Sequence, residues 1–177
     1  MKLRSASFVV VAGLLTTGAL AETPARSCTR VEVSSGATAD PRSVSALVPG
    51  PPSFSATRVL DLTFTVLFPA GTSGQHLVEL RVFTPDAQLY RSLAMPVASG
   101  ALTNATRQVD GYARPLPQQP LTQVTRGRSL FAAASTTLPV GGTDIVSSGL
   151  YGLWRVEAYL DGAEQRCAPA ATFTLKP

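Results

Sequence analysis

LYGLWRVEAYLDGAEQRCAPAATFTL, residues 150–175, decides the fold class of this chain. Trp154, Val156, Ala158 and Leu160 fall on one side of an extended backbone, and Arg155, Glu157 and Tyr159 on the other. Successive side chains of a strand point to opposite faces, so a two-residue period with one apolar set marks a half-buried strand. Asp161-Gly162 then supplies the positive-φ residues that a tight reversal needs. The return run carries Ala171, Phe173 and Leu175 inward, with Thr172 and Thr174 outward. A strand, a turn and a second strand follow from this stretch alone.

The same alternation recurs upstream. In VLDLTFTVLF (59–68), Leu60, Leu62, Phe64, Val66 and Phe68 oppose Asp61, Thr63 and Thr65. In HLVELRVFT (76–84), Val78, Leu80 and Val82 oppose Glu79 and Arg81. Pro69 to Gly74 between them is turn chemistry, so the two runs are expected to pair as a hairpin with a loop of moderate length. Pro85-Asp86-Ala87 is a further turn, and QLYRSLAMPV (88–97) a third strand. SLFAAASTTLPV (129–140) reads as a strand, or as a short helix followed by one. Between 98 and 128 the period stops, and RPLPQQP (114–120) removes ladder donors. A connection of that length inside a compact domain is functional, mobile, or conceals a short strand. With no sustained helical period anywhere, the expectation is an antiparallel all-β sandwich or barrel.

The N-terminus carries a compartment signal. Lys2 and Arg4 precede an apolar run from Phe8 to Ala21 that closes Ala19-Leu20-Ala21 before Glu22. That run of roughly 14 residues is short of the ~20 that span a bilayer as a helix. Basic start, short apolar middle and small-x-small end predict a cleaved secretory signal over residues 1–21; the rival reading is an uncleaved anchor. Residues 22–177 then form one β domain with a long irregular connection near 98–128. Without Lys2 and Arg4, the fifteen basic residues become thirteen against eleven acids. A balance that close to neutral does not argue for a nucleic-acid partner. Cys28 and Cys167 are the two cysteines, and in an oxidising compartment such a pair is expected as one disulfide closing nearly the whole domain. They lack the CxxC spacing of a metal or redox site, and no metal or cofactor is expected.

The tail from Ser148 to Leu175 resembles the last two strands of bacterial immunoglobulin-like modules. Those strands run Gly, an aromatic, a Trp-Val-Glu type of alternation, Tyr-x-Asp-Gly, then a closing A-x-F-x-L. The matching residues are Gly149, Tyr151, Trp154, Val156, Glu157, Tyr159, Asp161, Gly162, Ala171, Phe173 and Leu175, covering about a sixth of the chain. The resemblance implies an immunoglobulin-like antiparallel β-sandwich, with Tyr151 where a tyrosine corner would lie. It carries over no ligand and no catalytic residue. Two features depart from the pattern: the cysteines flank the domain instead of bridging the two sheets, and the tryptophan is on the penultimate strand. Both exclude an antibody-type domain.

Candidate sites are few. His76 is the only histidine; it could serve as a base beside Asp61 or a serine, but it reads more simply as an exposed hairpin residue. No nucleophile elbow, metalloprotease or phosphate-loop motif is present, and no catalytic residue is assigned. Tyr151, Arg155, Glu157 and Tyr159 share one outward face by alternation and form a candidate ligand face, able to stack on sugars or simply to pair across strands. Arg107, Arg114, Arg126 and Arg128 make the irregular connection locally positive, a candidate anion contact or a solvated loop. RPLPQQP could be offered to a partner as an extended peptide, and Asn104-Ala-Thr106 is an acceptor sequon only in a glycosylating host.

The expected function is a non-catalytic binding or structural module of the cell envelope or secretome. It would serve an unidentified protein or glycan there; the alternative is a carbohydrate- or anion-binding accessory module. Export makes a first prediction: the processed protein recovered from its host should begin at Glu22 by N-terminal sequencing. A mature chain still carrying Lys2 and Arg4 would contradict it.

Overall fold

The computed structural model describes residues 28–35, 50–100, 102 and 105–177; the expected signal segment and Asn104 lie outside them. Among the described residues the chain forms β1 (Arg30–Ser35), β2 (Ser53–Ser55), β3 (Asp61–Pro69), β4 (Gln75–Phe83), β5 (Leu89–Ala98), β6 (Thr106–Arg107), β7 (Leu116–Pro117), β8 (Gln119–Pro120), β9 (Thr122–Arg126) and β10 (Ser129–Pro139). A one-turn helix α1 (Asp144–Ser147) precedes β11 (Gly152–Leu160) and β12 (Ala171–Lys176). The fold is all-β. One antiparallel sheet has the order β1-β3-β10-β9, and a larger one runs β2-β12-β11-β4-β5-β8. Among the described strands only the edge pairs of the larger sheet, β2 with β12 and β8 with β5, are parallel.

The inner faces of the two sheets share one core. Leu62, Phe64, Val66 and Phe68 of β3 meet Val78, Leu80 and Val82 of β4, and Trp154, Val156 and Ala158 of β11, all fully buried. Phe64 in one sheet lies 5.9 Å from Phe173 in the other, and Phe173 stacks on Trp154 at 6.0 Å. Tyr90 closes edge-on against the indole at 5.3 Å. The indole N–H donates to the Leu150 carbonyl at 3.0 Å, so the one polar atom of this large side chain is satisfied. Truncating a buried aromatic of this kind costs about 3–5 kcal/mol.

Three expectations need correction. Leu60 is 77% exposed, because the chain bends before Asp61 and the alternation starts only there. The β3 and β4 runs do not pair: they belong to different sheets, and the Pro69–Gly74 turn carries the chain across the core. Turn residues between two alternating runs mark a reversal without saying within which sheet. The cysteines also do bridge the sheets. Cys28 leads into β1 of the smaller sheet, while the Cys167 N–H donates to Ala158 of β11 in the larger one at 2.8 Å. Their Cα atoms are 4.9 Å apart, and Cys28 N–H donates to the Cys167 carbonyl at 3.0 Å.

Two other local expectations stand. The run expected at 129–140 is a strand over Ser129–Pro139 with no helix before it among the described residues, and Asp161 and Gly162 both take positive φ, 54° and 74°. The 98–128 connection carries the short β6 to β9. Its β6–β7 ribbon rests near β5, and the Tyr112 hydroxyl accepts from the Ala94 N–H at 3.0 Å.

A cross-link spanning 139 residues removes much chain entropy from the unfolded state, about 5 kcal/mol on the loop-closure estimate. Denaturant titration of the Cys28→Ser/Cys167→Ser variant should therefore show a large drop in midpoint. An unchanged midpoint would contradict the staple.

Candidate functional site

The register of the larger sheet places its outward residues opposite one another. Arg155 of β11 faces Phe83 of β4, Glu157 faces Arg81, and Tyr159 faces Glu79; across β4, Arg81 faces Ser92 of β5. Contacts then follow from side-chain length and charge. The Arg81 Nε donates to Glu79 Oε1 at 2.8 Å, and its guanidinium covers the Tyr159 ring at 4.2 Å. The Tyr159 hydroxyl donates to Glu157 Oε2 at 2.8 Å, and Glu157 Oε1 takes Arg155 Nε and Arg166 Nη1, each at 3.4 Å. Arg155 in turn lies 4.6 Å over the Phe83 ring. The face is a lattice of charges that fix one another.

The lattice perturbs two of its groups. The hydrogen bond to Glu79 raises Arg81 above the ordinary arginine value, which only deepens its permanent charge. The hydrogen bond to Glu157 raises Tyr159 above the ordinary phenol value, because a phenolate there would confront a carboxylate; burial adds to it.

Beside the lattice, a cavity of about 410 Å³ opens between the outer face of β4 and β5 and the segment that follows β5. Glu79, Ser92 and Ala94 form its floor, and Arg107, Asp110 and Tyr112 its far wall. A shallower groove of about 570 Å³ runs past Tyr159 and Arg166 along the chain around Cys167. Among the described residues no cluster of three or more His, Cys, Asp or Glu is placed to hold a metal, and no helix is long and apolar enough to cross a membrane.

Of the four residues expected on one ligand face, the structure keeps Arg155, Glu157 and Tyr159 together. Tyr151 is elsewhere. It packs against the core and its hydroxyl donates to the Val146 carbonyl at 3.4 Å. The alternation breaks at Gly152, whose φ of +134° is a left-handed conformation and whose absent Cβ would meet Pro85 at 3.0 Å.

The four arginines expected as an anion contact do not form one cluster. Arg107 lines the cavity, while Arg126 sits in β9 of the other sheet and pairs with Glu32 at 2.9 Å. Arg114 and Arg128 are exposed in turns. His76 is not the exposed residue the turn suggested, since only 12% of its side chain is accessible. Its Nδ1 lies 2.9 Å from Asp161 Oδ2, not from Asp61, and its Nε2 lies 2.9 Å from the Ser73 carbonyl. Asp161 Oδ1 also accepts from the Leu77 N–H, so the histidine ties two turns together. Sequence reading passed over Glu79, Arg81, Phe83, Asp110 and Tyr112 as site residues. Their placement depends on the β4–β11 pairing and on the fold-back after β5, neither of which leaves a local signal.

No protein-family model matches the sequence, and no curated protein matches it. A solved structure from Bacteroides fragilis, provisionally designated a beta-galactosidase, aligns over 66% of this chain at 13% identity with a TM-score of 0.29. The chain spans 14% of the length of that protein.

The lattice makes a titration testable. A raised phenol pKa favours the neutral form in the folded state, so its contribution is complete below pH ~10 and is lost as pH rises through the folded value. Ultraviolet titration should show Tyr159 ionising above the ordinary phenol range, and Glu157→Gln should lower it toward that range. An identical curve for the variant would rule out the Tyr159–Glu157 bond.

Proposed function

We propose that this chain is an exported immunoglobulin-like sandwich that binds, without catalysis, a protein or glycan of the cell envelope through the outer face of its larger sheet. Strand order supports the architecture. Read in chain order, β1-β3-β10-β9 corresponds to A-B-E-D and β12-β11-β4-β5 to G-F-C-C′ of that fold. The Tyr151 hydroxyl reaching back to the Val146 carbonyl also supports it, since a tyrosine corner makes a bond of that kind. The disulfide suits an oxidising, non-cytoplasmic compartment, which agrees with the leader and with a secreted or periplasmic location.

The observation that carries the binding role is the Arg155–Glu157–Tyr159–Arg81 lattice with a cavity at its border. Both ring nitrogens of His76 are taken by turn partners, which argues against a general base there. A carbohydrate- or anion-binding accessory role is the second reading, and Arg107 in the cavity wall favours it. Sugar stacking on Tyr159 is disfavoured, since the Arg81 guanidinium covers that ring.

Immobilised mature domain can be offered envelope extract and a glycan array from its host. Retention of a defined partner should fall at least ~10-fold in Arg155→Ala/Glu157→Ala, equivalent to about 1.4 kcal/mol. Unaltered retention would move the binding surface elsewhere, and glycoside turnover abolished by His76→Ala would replace binding with catalysis.

A further inference from the structure

We propose that the cavity between β4, β5 and residues 105–118 binds a small ligand carrying one carboxylate beside hydroxyl or ammonium donors, with Arg107 as the carboxylate contact. This rests on the reading that the outer face of the larger sheet is a binding surface, and deepens it.

The first observation is a guanidinium in the cavity wall with one unsatisfied nitrogen. Arg107 Nη1 is buried and, among the described residues, has no hydrogen-bond partner. Leaving a charged donor buried and unpaired is costly, and native structures seldom do so without a function. A planar guanidinium matches a carboxylate in two parallel hydrogen bonds. The second observation is what else lines the space. Among the described residues Asp110 makes no ion pair, and Glu79 on the floor shares its charge with Arg81 and with Ser92. The Gln108 amide nitrogen is spent on the Tyr112 carbonyl at 2.9 Å, so its side-chain oxygen is left to accept.

The unspent groups are therefore one cation and several acceptors. Phosphate or sulfate would meet Arg107 but confront two carboxylates. A monocarboxylate bearing hydroxyls or an ammonium satisfies both walls. The volume, about 410 Å³, suits one sugar acid or one amino acid, at the small end of ligand cavities. The rim is held in advance: the Tyr112 hydroxyl accepts from Ala94 N–H at 3.0 Å and lies 3.4 Å from the Ser92 carbonyl. Preorganisation of this kind lowers the cost of ordering a loop on binding.

Isothermal titration of the disulfide-bonded mature domain tests this with D-galacturonate, glutamate, D-galactose and inorganic phosphate. One carboxylate probe should bind, and which of the two does so separates a sugar acid from an amino acid; galactose and phosphate should bind at least ~10-fold more weakly. Arg107→Gln should weaken binding at least ~10-fold with its melting temperature unchanged, since the buried nitrogen has no native partner to lose. Asp110→Asn should also weaken binding, whereas at a plain anion site it would tighten.

The inference is overturned if neither carboxylate probe binds, if phosphate binds best, if Arg107→Gln leaves affinity intact or lowers the melting temperature, or if Asp110→Asn tightens binding. Arg155 and Glu157 lie outside the cavity lining, so failure here would leave retention of an envelope partner by that part of the face unaffected.

Discussion

Phe64, Phe173 and Trp154 form the junction on which the rest of the structure depends. Phe64 comes from the smaller sheet, Phe173 and Trp154 from adjacent strands of the larger one, and the contacts at 5.9 and 6.0 Å bring the two inner faces together. Each ring is fully buried, so the side-chain parity of β3, β11 and β12 is fixed at once. A strand cannot slip by one residue without turning its apolar set to water. The disulfide adds a covalent tie between the same two sheets at the point where β1 begins.

That constraint also positions the outer face. With Trp154, Val156 and Ala158 held inward, Arg155, Glu157 and Tyr159 have no choice but to face out, and the β4 register brings Glu79, Arg81 and Phe83 opposite them. The charged lattice is thus a consequence of core packing. Ion pairs whose arginines are 40–48% exposed add little to stability. Their effect is to hold side chains in one geometry beside the cavity.

The strands themselves were legible because period-two burial leaves a mark at every residue. The Asp161-Gly162 reversal and the strand over 129–139 were equally local. What escaped was non-local. The Pro69–Gly74 turn gives no sign that it crosses between sheets, and the chain positions of Cys28 and Cys167 conceal that β1 lies against β11 and β12. Tyr151 was misplaced because one glycine φ, at Gly152, interrupts the alternation that should have carried it outward. The arginines of the irregular connection looked like one patch in sequence, yet β9 joins the smaller sheet and takes Arg126 to Glu32. Asp161 was read as a turn former, and its carboxylate also proves to be the partner of His76.

Native-state hydrogen exchange, read residue by residue, addresses the shared core most directly. If one apolar layer joins the two sheets, amides of β3 in the smaller sheet and of β4 and β11 in the larger one should exchange only through global unfolding, with a common free energy. Should β11 exchange through an opening that leaves β3 protected, the sheets would be separable, and the three-ring junction would not be what holds the molecule together.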